Sequence, residues 1–184
     1  MPEYRRWYVP GGTFFFTLVT YNRRPILCAD VARRCLHEAI DKVRNAWPFQ
    51  TVAIVLLPDH LHAVWTLPPG DADYSVRWKL IKAEFTRQYL GTCGREVPPT
   101  VSRLRHGERA VWQRRFWEHT VRDESDLKRC VDYIHWNPKK HGHVVAIRDW
   151  HWSSFHRFVS LGEYELDWGA DNPAPNCDLP EMRE

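Results

Sequence analysis

The spacing of apolar residues changes along the chain, and the changes divide it into elements. Thr13–Thr20 (TFFFTLVT) follows a Gly11-Gly12 break and is dense in aromatic and β-branched residues, which predicts a strand. From Asp30 to Trp47, Val31, Cys35, Ala39, Ile40 and Val43 recur at helical spacing, with Asp30 as N-cap and Pro48 just past the end. Thr51–Leu57 is a nearly continuous apolar run, as a central strand requires. Pro58-Asp59 forms a turn, and His60–Leu67 is the partner strand of a hairpin. A second helix covers Tyr74–Leu90, with Trp78, Ile81 and Phe85 on one stripe. Gly91–Gly107 is an irregular connection, and Ala110–Val121 a strand with its approach. Asp123–Asn137 is a third helix, capped by Asp123 or Ser125 and stopped by Pro138.

The order β-α-β-β-α-β, then one more helix, predicts an α+β, ferredoxin-like (βαββαβ) fold: an antiparallel sheet with two helices on one face. Because that plan hosts many activities, function must come from particular side chains. Residues 1–160 form the folded domain. Residues 161–184 read as an acidic C-terminal tail that is expected to be partly disordered.

Composition narrows the possibilities. The five cysteines are scattered and form no C-x-x-C pair, so reduced thiols are expected rather than a zinc ribbon or disulfide frame. No apolar run is long enough to span a membrane and no signal peptide opens the chain, so a cytoplasmic protein is expected. The tail carries net charge −6, which leaves +9 on residues 1–160. That excess suits a polyanionic partner, or is simply a basic soluble surface. The ten tryptophans fill a core or offer stacking platforms for unpaired bases.

Candidate chemistry sits in two places. In a strand starting at His60, Leu61, Ala63, Trp65 and Leu67 share one face, while His60, His62, Val64 and Thr66 share the other. The two imidazoles then stand side by side, as a shared divalent cation needs or as a polar pair on an open sheet face. In the third helix, Tyr133 and Asn137 lie one turn apart on a flank beside the apolar stripe Leu127, Cys130, Val131 and Ile134. A phenol with pKa near 10 is a poor nucleophile at neutral pH, whereas a metal that polarises a phosphate relieves the need for a strong base. The Asn137 side-chain oxygen can complete a ligand set that suits Mg2+ or Mn2+ better than zinc. The other reading of Tyr133 is a tyrosine half-buried at a helix seam, and Pro138 threatens the helical geometry of Asn137.

Together the strings PDHLHAVW, VWQRRFWEHTVRDESDL, DYIHWNPKKHGHV and WSSFHRF, in this order, resemble the IS200-like transposase family, and within it the REP-associated tyrosine transposases. The resemblance runs from about Tyr8 to about Phe158. It implies that His60 and His62 are a His-hydrophobic-His metal pair, that Asn137 is the third ligand where relatives often carry Gln, and that Tyr133 is the nucleophile. It implies cleavage and rejoining of single-stranded DNA at REP-like hairpins through a 5′-phosphotyrosine, with Mg2+ or Mn2+ and without ATP. Trp136, Lys139 and His143 depart from common family residues without removing a proposed catalytic group.

Lys79, Lys82 and Arg87 of the second helix, with Arg77, and Arg114, Arg115, Lys139 and Lys140 are the candidate DNA contacts. His119 and His135 are read as structural. The expected setting is the cytoplasm, associated with the nucleoid, as a monomer or homodimer. Two other readings remain: a non-catalytic single-stranded nucleic-acid-binding module, and a replication-initiator or relaxase-type nickase. An RRM-like binder would place aromatics where the sheet carries His60 and His62, which favours an enzyme.

Overall fold

The computed structural model describes residues 8–92 and 94–170. Its elements are β1 (Thr13–Val19), α1 (Asp30–Ala46), β2 (Gln50–Leu56), β3 (His60–Thr66), α2 (Tyr74–Thr92), α3 (Val101–Arg105), β4 (Trp117–Thr120), α4 (Glu124–Lys140) and α5 (Phe155–Ser160). The strands form one antiparallel sheet in the order β2-β3-β1-β4, the ferredoxin-like arrangement.

Alternation along the strands creates two cores. Phe14, Phe16 and Leu18 of β1, with Leu61, Ala63 and Trp65 of β3, pack under α1 and α2. Trp65 and Trp78 stack there with ring centroids 3.8 Å apart. Phe15, Val55 and Val64 face the other way and pack against Cys130, Val131, Tyr133 and Ile134 of α4. The second face of the sheet is therefore roofed, so His60 and His62 lie in an interior and not on an open surface. Half of the ten tryptophans go into these cores: Trp65, Trp78, Trp112, Trp136 and Trp150 are all buried.

The free edge of β2 is closed by residues 152–154. Leu56 N–H donates to the Trp152 carbonyl at 2.8 Å, and Ser154 N–H to the Ile54 carbonyl at 2.8 Å. His135 of α4 sits over this junction, its Nε2 2.8 Å from Ser154 Oγ. Phe155, Phe158 and Tyr164 surround its ring. Burial lowers the His135 pKa from 6.5 to about 3, with nearby Arg157 adding to the effect. The folded chain keeps this ring neutral while the unfolded chain protonates it below about pH 6.5. Its contribution is therefore intact above that pH and shrinks as the pH falls towards 3, by about 1.4 kcal/mol per pH unit. Urea unfolding at pH 7, 6 and 5 should show a steeper acid loss for the parent than for His135→Phe.

Three boundaries differ from the sequence reading. The fourth strand is confined to Trp117–Thr120, and ahead of it the chain pairs at the end of β1 through an isolated Thr20–Trp112 bridge. There the Lys82 ammonium takes the carbonyls of Gln113 and Arg114, which replaces a strand partner. The connection read as irregular contains the short helix α3, with Thr100 as its N-cap. Pro138 does not stop the third helix. It lies in the last turn, where its missing N–H removes a single bond, and His141 N–H still reaches the Asn137 carbonyl at 3.0 Å. The helix ends where Gly142 adopts φ 69°, a conformation glycine takes without strain.

The acidic stretch is packed against α4 as far as residue 170, with Tyr164 and Trp168 in the second core. The rest of the tail, 171–184, lies outside the described residues. No helix among the described residues is long and apolar enough to cross a membrane.

Candidate active site

Strand register sets the first half of the site. His62 pairs with Thr17 on one side and Val55 on the other, and His60 pairs with Val19. All these side chains point to the face that α4 covers. His60 and His62 are 3% and 0% exposed, with ring centroids 5.0 Å apart. His60 Nδ1 lies 2.6 Å from Asp59 Oδ1, and His62 Nδ1 lies 2.8 Å from Thr17 Oγ1. With both Nδ1 atoms held, Nε2 is the nitrogen each ring would give to a metal. Burial holds the His62 pKa well below its ordinary value, aided by His60, Lys140, His141 and Arg23 in that order. The ring is accordingly neutral, the form that ligates metal.

The second half comes from one flank of α4. The Tyr133 ring lies 5.3 Å from the His62 ring, and His141 lies 5.3 Å from His60. Asn137 stands one turn from each along the same flank of α4. It is fully buried, and neither atom of its amide has a hydrogen-bond partner in the protein; nor has His60 Nε2. Unpaired buried polar groups cost about 1–3 kcal/mol each. His60 Nε2 and the Asn137 amide oxygen, with the neighbouring His62 imidazole, make a donor set that fits a divalent cation. Asn137→Leu should therefore stabilise the metal-free chain by about 1–2 kcal/mol. Thermal unfolding should show Mn2+ raising the parent's melting temperature far more than the variant's; equal shifts would remove Asn137 from the ligand set.

Tyr133 is 4% exposed and packs edge-on against Phe15. Its hydroxyl accepts a hydrogen bond from Lys140 Nζ at 3.1 Å, and that ammonium lies 4.9 Å from the ring centre. Two turns along the helix, Lys140 thus supplies positive charge at the phenol oxygen.

The candidate DNA contacts divide. Lys79, Lys82, Arg87 and Arg114 line a groove of about 1000 Å³ between α2 and the segment leading to β4, together with Arg103 and Arg109. Among the described residues, Glu108 is the one carboxylate along its wall. Arg103 and Arg114 also border a hollow of about 530 Å³ that reaches Arg23. Several of these cations are paired: Arg23 with Asp59, Arg87 with Glu84, Arg109 with Glu96 and Arg114 with Glu108. Arg115 is exposed. Lys139 instead binds the Gly169 and Ala170 carbonyls and lies over Trp136, which ties it to the packed start of the acidic stretch. Arg77 is buried against Asp71 and the carbonyls of Trp47 and Pro48, a structural position. His119 pairs with Asp126, 2.8 Å away, at the start of α4. Cys130 lies close enough for the three to suggest a second metal cluster. The Asp126 carboxylate, however, is already used by His119, Arg129 and the Arg122 N–H, as a helix-start network uses it.

Two contributors were not read from the sequence: Thr17, which required knowing the β1–β3 register, and Asp59, taken only as a turn residue. Its place directly before a candidate metal histidine was the available signal.

Residues 11–137 match the family described as "Transposase IS200 like", and the chain belongs to that family. It is 45% identical over 171 residues to the REP-associated tyrosine transposase of Escherichia coli strain K12, covering 93% of both chains. A Haemophilus influenzae relative assigned to the same group is 42% identical over 171 residues, covering 93% of this chain and 95% of that one. A solved structure of a REP-associated tyrosine transposase bound to a REP hairpin superposes with TM-score 0.76 at 42% identity, covering 95% of this chain and 96% of that one.

Proposed function

We propose that the chain cleaves and rejoins single-stranded DNA beside REP-like hairpins, with Tyr133 as nucleophile. The observation that carries this reading is the meeting of Tyr133, buried and bonded to Lys140, with the His60–His62 pair and the unpartnered Asn137 amide. Kinship with REP-associated tyrosine transposases, one of them bound to a REP hairpin, supports the choice of substrate.

His60, His62 and Asn137 would hold Mg2+ or Mn2+, which would neutralise charge building on the scissile phosphate. The Tyr133 oxygen forms a bond to phosphorus and gives its proton to solvent, while the phosphorus–O3′ bond breaks. The departing oxygen takes a proton and leaves as a 3′-hydroxyl, and the 5′ side stays on tyrosine. Attack by another 3′-hydroxyl reverses these steps and frees the phenol, so the bond energy is conserved. Lys140 stabilises negative charge on the phenol oxygen in both directions. The groove lined by Lys79, Lys82, Arg87 and Arg114, with Arg115 beside it, takes the DNA backbone. Lys139 steadies the end of the nucleophile helix.

Lys140→Met should slow cleavage by about 10²-fold with hairpin affinity reduced only a few-fold, and Lys140→Arg should restore part of the rate. Single-turnover kinetics beside equilibrium binding separates the two effects. The test of the function itself uses labelled genomic hairpins with Mn2+ or with chelator, run on a denaturing protein gel. A labelled adduct that requires metal supports the transesterase. Tight binding with no adduct under any condition favours the binding-module reading.

A further inference from the structure

The two histidines are held by partners of different chemistry. Thr17 Oγ1, beside His62, is a hydroxyl and can either donate or accept. Asp59 Oδ1, 2.6 Å from His60 Nδ1, belongs to a carboxylate that only accepts when ionised. Asp59 is itself braced. Its other oxygen accepts from Arg23 at 3.0 Å, and its carbonyl accepts from Thr20 N–H at 2.8 Å and Thr20 Oγ1 at 2.9 Å. Arg23 adopts φ 48°, a left-handed conformation that costs such a side chain energy, beside Asn22 at 54°, a residue type that enters this region readily. The turn after β1 thus holds an unfavourable backbone shape that brings the guanidinium to Asp59.

We propose that Asp59 is the positioning residue of the metal site: it holds the proton of His60 on Nδ1 and presents Nε2 to the cation. This rests on the reading of His60 and His62 as metal ligands. A proton accepted by Asp59 fixes both the tautomer and the ring angle of His60 before metal arrives, and the carboxylate makes the imidazole a stronger donor. The buried, unpartnered Nε2 of His60 is the atom so exposed to a ligand.

The experiment uses the full chain without DNA and reads two quantities. Nitrogen-15 NMR of the metal-free protein gives the His60 tautomer, and EPR titration gives Mn2+ affinity. The parent should show His60 protonated on Nδ1. Asp59→Ala should lose that preference and bind Mn2+ about 10-fold or more weakly, whereas Asp59→Asn, which keeps an acceptor oxygen, should fall between. Melting curves establish that each variant is folded. If Asp59→Ala keeps both the tautomer and parental affinity while His62→Ala loses Mn2+, Asp59 has no positioning role but the metal reading stands. If the parent binds no Mn2+ that His62→Ala abolishes, the metal reading falls and the proposal with it.

Discussion

Tyr133→Phe is expected to lower strand cleavage by about 10³-fold or more and to eliminate the protein–DNA adduct. Hairpin binding should change by less than about threefold, a difference of under 1 kcal/mol. The expectation of a clean separation comes from how the side chain is held. Phenylalanine keeps the edge-on contacts with Phe15 and His62 and gives up only the hydroxyl that Lys140 reaches. One lost hydrogen bond costs the fold about 1 kcal/mol, too little to unfold a helix packed across the sheet. Cleavage measured beside fluorescence anisotropy with the same oligonucleotide checks both halves. A Phe variant that still cleaves at a tenth of the parental rate would exclude Tyr133 as nucleophile.

The second large effect is expected from His62→Ala. Loss of a proposed metal ligand should lower cleavage by about 10²–10³-fold or more, and added Mn2+ should not restore it. This change also opens a cavity under α4 and leaves the Thr17 hydroxyl without its imidazole, at about 1–3 kcal/mol. The melting temperature must therefore be measured with the activity. Mixing adds a sharper prediction. With Tyr133 5.3 Å from His62 within one chain, the proposed reading expects cleavage in cis. Equal amounts of Tyr133→Phe and His62→Ala should remain inactive. Recovery of cleavage on mixing would mean that α4 is exchanged between subunits.

Local pattern made much of this legible. Alternation in β3 put His60 and His62 on one face whatever lay above them, because a strand's period is two. Helical spacing likewise put Tyr133 and Asn137 one turn apart on the flank that borders the apolar stripe. What lay above the histidines was not local. That α4 roofs their face, with residues 150–170 around it, depends on contacts between segments about a hundred residues apart, such as Ser154 with Ile54. The sequence therefore allowed an exposed pair where the structure buries it. Pro138 misled for a related reason: proline is costly in a helix interior, but in a final turn it forfeits a single bond. Charge was the least readable property. Lys79, Lys82 and Arg77 belong to one helix, yet Lys79 and Lys82 line the groove while Arg77 is sealed by Asp71. Lys139 and Lys140 are neighbours in sequence, and only Lys140 reaches Tyr133.

The most direct test of the central claim is to locate the covalent bond. The parental chain is incubated with a hairpin oligonucleotide and Mn2+, digested with nuclease and protease, and mapped by tandem mass spectrometry. The account predicts a 5′-phosphonucleotide on Tyr133, with the released strand ending in a 3′-hydroxyl. A nucleotide on any other residue, or cleaved DNA with free 5′-phosphate and no modified peptide, would contradict it.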